Sequence, residues 1–229
     1  MKNTITTGVI AILMFFCNTL YSQTIVEKSS AIKSNEDLEL NFEFADEINV
    51  STWDKNEVYV KVSVSINENE DNDHFALNLN KRSTGVEFES EIKNMKSLQS
   101  RKRVVSKNGN TTTYNSIDME LIFDVKIPKD VKLEIETISG NIEIIDFLGR
   151  LEVKSISGFI DVTLPTKHNA DLELSTISGG MYSNFEFNNE KHKGYYHYGK
   201  HDLSKRLNNG GIRIFLETIS GDIYLRKSK

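Results

Sequence analysis

Four serines stand in the same local sequence. Ser139, Ser157, Ser178 and Ser220 each follow an isoleucine and precede a glycine, namely Gly140, Gly158, Gly179 and Gly221. A serine held on a turn is a place for a nucleophile, and the chemistry would be acyl transfer through an adjacent base. No histidine or acid recurs beside these serines, and a nucleophile is not needed four times. The repetition points instead to a structural corner.

Other chemistry-bearing residues are scattered. The acids Glu134, Glu152, Asp161 and Glu173 fall where strand alternation turns them outward. Lining one groove, they would suit a carbohydrate-active β-helix, in which convergent carboxylates act as acid and base. Ordinary polar alternation places them equally well. The tract Asn67–Asp73 is rich in carboxylates and amides, as calcium loops are. It lacks the glycine and spacing of an EF-hand and reads as a solvated loop. His192, His197 and His201 lie among Tyr195, Tyr196 and Tyr198. Spacings of five and four fit neither strand alternation nor a paired metal-ligand motif, so this is a candidate contact loop, since tyrosine buries area at low entropic cost. Arg101-Lys102-Arg103 offers a basic patch for anionic glycan or lipid headgroups, or else a solubilising loop. These residues define no catalytic, cofactor or metal site.

The elements that would position these residues come from an internal repeat, read before anything else. Leu133–Ile144, Leu151–Val162, Leu172–Ser183 and Ile214–Leu225 share the pattern [Thr/Ser]-Ile-Ser-Gly at their centre, with glycine spacings of 18, 21 and 42. A period near 20 is the size of a stacked repeat unit. In each copy the apolar residues keep one parity before the motif (Leu133, Ile135) and the other after it (Ile142, Ile144). A straight strand cannot change faces without a bulge or corner. With glycine at a positive φ, a corner lets both halves of the copy face inward. The sequence therefore predicts a single-stranded parallel β-solenoid in which Ile138, Ile156, Ile177 and Ile219 stack in one inward ladder and the serines in another. The doubled spacing of 42 predicts a missing rung between the third and fourth copies. If the Ser-Gly pairs are ordinary hairpin turns, an antiparallel β-sandwich is the alternative.

The Thr-Ile-Ser-Gly-Asp-Ile repeat, its approach Phe123–Val131 and the upstream Trp53–Val58 resemble a bacterial family of unknown function known as putative adhesins. The resemblance spans roughly residues 38–226 and implies an exported β-solenoid. Its motifs are structural, so it supplies no catalytic residues, and an adhesin-like role is what the family name implies.

The rest of the chain agrees with a β protein. Leu38–Val50 reads as a degenerate copy with an altered corner at Ala45–Glu47. Trp53 is expected to cap one end of the core. Val58–Ile66 is the cleanest strand signal, and Ile117–Pro128 forms another long one. Leu77–Phe88 repeats the parity change and reads as a fifth copy. Excursions are expected over about 90–116, with a tight turn at Asn108-Gly109, and over about 188–209. No domain boundary interrupts residues 23–229.

At the N-terminus, Lys2 precedes the apolar run Gly8–Phe16 and the stretch Tyr21–Gln23, the pattern of a secretory signal over residues 1–22. A run of nine is too short to span a bilayer. Cys17, the single cysteine, follows residues too bulky for a usual lipidation box and is expected to leave with the signal. That removal takes the formal charge from −5 to −6, a mild acidic excess that argues against general nucleic-acid binding. The expected setting is the periplasm or cell surface, with an envelope protein or glycan as partner. Self-association into a filament is a further reading.

Overall fold

The computed structural model describes residues 23–98, 101–107, 110–187, 196–197 and 201–228. Apart from two three-residue 3₁₀ turns, all its regular structure is β-strand. The N-terminal part supplies β1 (Thr24–Ala31), β2 (Asp37–Phe42), β3 (Phe44–Trp53), β4 (Glu57–Ile66), β5 (Phe75–Lys81) and β6 (Gly85–Ile92). Next come β7 (Arg101–Lys107), β8 (Asn110–Ser116) and β9 (Met119–Pro128). The repeats form β10 (Lys132–Ile145), β11 (Leu151–Ser157), β12 (Ile160–Leu164), β13 (Ala170–Ser178) and β14 (Met181–Ser183). The chain ends with β15 (Tyr196–His197), β16 (His201–Leu207), β17 (Ile212–Ser220) and β18 (Ile223–Lys227).

Sixteen strands join in one mixed sheet that turns back on itself at corners, while β7 and β8 pair only with each other. One ladder runs β5-β6-β2-β10-β11-β17-β13-β16, and the other runs β1-β4-β9-β3-β10-β12-β18-β14-β15. The fourteen-residue β10 belongs to both, because it crosses a corner without losing its hydrogen bonds. The ladders face each other: Phe42 of β2 stacks on Phe123 of β9 with ring centroids 4.1 Å apart. Alternation fills the space between them, with Leu133 and Ile135 buried before the corner and Ile142 and Ile144 after it.

The centre of the sheet is parallel and its ends are antiparallel. Each central coil is one strand in either ladder: β2/β3, the two halves of β10, β11/β12, β17/β18 and β13/β14. Beyond them β5, β1 and β4 close one end, and β16 and β15 close the other, all in antiparallel pairs. The fold is therefore all-β but mixed, and a wholly parallel winding is corrected. Antiparallel hairpins at both ends leave no parallel coil as the outermost strand pair.

The order of coils departs from the expected one. The last copy lies between the second and third: Leu151 pairs with Ile214, and Ile214 with Leu172. The spacing of 42 is thus no missing rung. After β14 the chain adds β15 and β16 to the outer edge, then crosses the start of β13 through Asn208–Gly211. Asn208 Nδ2 pins that crossing by donating to the carbonyls of Thr166 and His168, at 3.2 and 2.6 Å. Asn208, Gly210 and Gly211 take positive φ there. Leu77–Phe88 is likewise no coil but the hairpin β5–β6, with Lys81 opposite Val86. A hairpin loop changes parity as effectively as a corner does.

A candidate contact face at the coil corner

The repeated motif makes the corner through two columns. In the first, Thr137, Ser155, Thr218 and Thr176 lie side by side across four coils and are buried. Their hydroxyls donate to carbonyls that the bend frees from the ladder. Thr137 reaches Ser139 O at 2.7 Å, Ser155 reaches Ser157 O at 3.1 Å, Thr176 reaches Gly221 O at 2.9 Å and Thr218 reaches Gly158 O at 3.3 Å. A buried carbonyl needs such a partner, which explains a hydroxyl residue just before Ile-Ser-Gly.

In the second column Gly140, Gly158, Gly221 and Gly179 stack so closely that each excludes a side chain. A Cβ on Gly158 would stand 2.7 Å from the carbonyl carbon of Gly140; one on Gly221 would be 2.6 Å from that of Gly158; one on Gly179 would be 2.6 Å from that of Gly221. A Cβ on Gly140 would meet that of Ala45 at 2.9 Å. Positive φ accounts for only part of the pattern, since it occurs at Gly140 (132°) and Gly158 (115°) and not at Gly179 or Gly221. Close approach of coils is the shared cause. The motif serines also align, Ser139 beside Ser157 beside Ser220 beside Ser178. Ser157, Ser178 and Ser220 face solvent.

Between these columns each coil places an isoleucine, and the structure corrects its expected direction. Ile138, Ile156, Ile219 and Ile177 are 39, 47, 45 and 64% exposed. The inward run resumes only at Ile142, Ile160, Ile223 and Met181. Four adjacent coils therefore carry one exposed isoleucine stripe. It floors part of an open groove of about 470 Å³, whose lining includes Ile138, Ile156, Ile219, Glu43, Glu89 and Glu217. Beside the stripe runs the row Glu89–Asn41–Glu136–Lys154–Glu217, each residue opposite the next. Lys154 holds Glu136 at 3.1 Å. Glu43, Glu89 and Glu217 have no ion-pair partner among the described residues.

The next row outward is neutralised. Parallel register puts Glu87, Glu39, Glu134 and Glu152 on successive strands, and like charges in such positions repel. Arg82 offsets the first pair. Lys154 Nζ lies 3.2 Å from Glu134 and 2.9 Å from Glu152, while Arg213 bridges Glu152 at 3.2 Å and Glu173 at 2.8 Å. The hydrogen bond from Lys154 holds the Glu152 carboxyl below its usual range, against the opposing effect of burial, and Glu152 in turn raises Lys154. A general acid needs the opposite shift. Asp161 lies in the other ladder, bound through both oxygens to Arg226 Nε at 2.6 and 2.7 Å. The four acids thus split between two faces, each with a cation.

The remaining candidates are placed as follows. His192, Tyr195, Tyr198 and residues 1–22, with Cys17, lie outside the described residues; Tyr196, His197 and His201 are described only as parts of β15 and β16. The backbone of Arg101–Arg103 lies in β7, which pairs with β8 across residues 108–109. Asn67–Asp73 is a turn held by its amides, with Asn72 Oδ1 accepting from the Ile66 N–H at 2.7 Å and Asn67 Oδ1 from the Asp118 N–H at 3.1 Å. Trp53 is half-buried, its indole N–H donating to Glu57 O at 2.7 Å. The described residues contain no cluster of three or more metal-ligating side chains and no helix long and apolar enough to cross a membrane. One feature not read from sequence is an aromatic row, Phe159, Tyr224 and Tyr182. Tyr182 stacks on Tyr224 at 5.2 Å and Phe159 meets Tyr224 edge-on at 6.3 Å.

No protein-family model matches the chain, and no curated protein matches it significantly. Among solved structures, a putative cell adhesion protein from Clostridium sporogenes is similar over 90% of this chain and 100% of its own, with a TM-score of 0.52 and 15% identity. A putative adhesin from Parabacteroides merdae is similar over 69% of this chain and 63% of its own, with a TM-score of 0.31 and 11% identity. The Clostridium sporogenes protein shares the fold, and at that identity the likeness establishes the fold alone.

Proposed function

We propose that this chain is an exported, non-enzymatic contact module of the cell envelope, adhesin-like in its work, built on a short β-solenoid of five coils closed by antiparallel hairpins. The observation that carries the reading is the isoleucine stripe. Large apolar side chains aligned on a surface mark an interaction site, and four copies of one motif present this one. The corner is rigid, because the glycine column and buried hydroxyls lock coil to coil, and a rigid scaffold loses little entropy when a partner docks. The signal-like residues 1–22 support export, and the fold shared with a protein described as a putative cell adhesion protein supports the contact role. The depressed Glu152 and the separate ion pairs of Glu134, Glu173 and Asp161 favour a structural use of these acids over glycoside hydrolysis.

The test is to shave intact cells with protease and follow the protein. Cleavage in whole cells is expected for a surface contact module. Protection that ends only when the outer layer is opened would refute adhesion and redirect the reading to periplasmic scaffolding.

A further inference from the structure

We infer that both ends of the stack are closed to strand addition, chiefly by lysines set on the core-facing side of the edge strands. Copies of this chain therefore do not join end to end, and partners are left its flanks. The inference does not depend on what the isoleucine groove binds.

Four strands finish the two ladders, β5 and β1 at one end of the stack and β16 and β15 at the other. β15 is two residues long, too short to template a further strand. β1, β5 and β16 are eight, seven and seven residues long, and each has a ladder partner on one side only among the described residues. An edge of that length invites another chain. Each of the three, however, sets one lysine among its core-facing residues. Residues directly opposite in a ladder share a face, which places Lys28 beside buried Val60, Lys81 beside buried Val86 and Lys205 beside buried Leu172. In β16 the lysine stands between Leu203 and Leu207 on that side. The inner strands carry apolar residues or hydroxyls there, until Lys227 at the last position of β18. Lys28, Lys81 and Lys205 form no ion pair among the described residues. At an open edge such a lysine can lay its stem over the core and carry its ammonium past the edge to water. A strand added there would cover the exit and bury the ammonium without a counter-charge, a costly state. An outward cation does not have this effect: Arg206, on the other face of β16 and 3.4 Å from Asp171, stays in water whatever joins the edge.

Sedimentation velocity of the purified chain, with amide exchange to locate any contact, tests this. Lys205→Val opens one end and is expected to self-associate at least tenfold more tightly than wild type. It should stop at a dimer, since two identical edges pair about a twofold axis and use each other up. Lys28→Val/Lys81→Val is expected to do the same at the other end, and the triple variant to form chains that lengthen with concentration. Lys205→Arg keeps the inward charge and Arg206→Val removes an outward one, so both are expected to behave like wild type. Valine suits a strand, so circular dichroism melts should place no valine variant at Lys28, Lys81 or Lys205 below wild type. Exchange over Leu203–Leu207 should slow in the Lys205→Val dimer, and adding Ile156→Lys should leave that dimer intact. A wild type that assembles with β1, β5 or β16 protected overturns the inference. So do folded lysine-to-valine variants that stay monomeric, or an Arg206→Val control that dimerises as well as Lys205→Val.

Discussion

Gly221→Ala separates two explanations of the motif glycine. Gly221 does not have a positive φ, so alanine meets no backbone strain there. Its Cβ would nevertheless stand 2.6 Å from the carbonyl carbon of Gly158, about 0.9 Å inside the roughly 3.5 Å of optimal carbon contact. The coils on either side are tied at that level by Gly158 N–H to Ser220 O and Gly221 N–H to Ser178 O, both 3.1 Å. Relief must come from parting the coils, which stretches these bonds. Overpacking costs about 1–3 kcal/mol and each of the two weakened hydrogen bonds up to about 1 kcal/mol, giving about 1–5 kcal/mol. For a chain of this size that is a fall in Tm of roughly 2–20 °C. Gly211→Ala is the control: its φ is +146° and its nearest neighbour would be 3.5 Å away, so it tests backbone strain alone, at about 1–2 kcal/mol. Thermal melts followed by circular dichroism should rank wild type, Gly211→Ala and Gly221→Ala in falling order. If Gly221→Ala melts with wild type, the coils are not in contact through the glycine column and the reasoning fails.

Three further outcomes are expected. Thr176→Val removes the 2.9 Å bond to the Gly221 carbonyl at a fully buried site and should cost about 1–3 kcal/mol; Thr218→Val, whose bond is 3.3 Å, should cost less, and equal costs in urea melts would undo the capping role. The folded pKa of Glu152 is lowered, so its stabilising effect is present above the unfolded value of about 4.3 and lost as pH falls through the folded one. Desolvation lowers His168 as well, so its contribution is lost as pH falls below about 6.5. The melting temperature should therefore fall in two windows, with Glu152→Gln flattening the lower and His168→Leu the upper; unchanged profiles would contradict both assignments.

Much of the architecture was legible because alternation is a direct record of burial. Val58–Ile66 and the Met119–Pro128 strand carry every second residue into the core, and the parity change located the corners of β2/β3 and the four repeats. The isoleucine stripe was not legible. An isoleucine just after an inward threonine sits at the one position where the old parity and the new compete, and composition favours the core. Only the bend decides, and it falls after the serine: the β10–β3 register shifts between Ser139 and Asn141, leaving Ile138 on the outer face. The acid rows were half legible, since alternation turns Glu134 and Glu152 outward, but the cross-strand pairs of Glu134 with Lys154 and of Glu152 with Arg213 are revealed by strand pairing alone.

Coil order was beyond the sequence for a deeper reason. Register is set by matching inward and outward residues, and the copies at β11, β13 and β17 present the same pattern to one another. Nothing in a strand's face says which copy should be its neighbour, so connections must decide. Here the crossing at Asn208–Gly211 carries β17 over β13, and the copy last in sequence enters the middle of the stack. This order has a measurable consequence. Deleting residues 208–229 would remove an end coil from a sequentially wound protein and break one interface. In this fold it removes the coil between β11/β12 and β13/β14 and breaks two interfaces, and it takes away buried Ile214, Leu216, Ile223 and Leu225. At about 1.5–3 kcal/mol each, those four side chains represent about 6–12 kcal/mol, the whole stability of a typical domain. The truncated chain should lose its cooperative melt. A truncated chain that melts cooperatively, with only a modest fall in Tm, would mean that the last copy stacks at the end and that coil order follows the sequence.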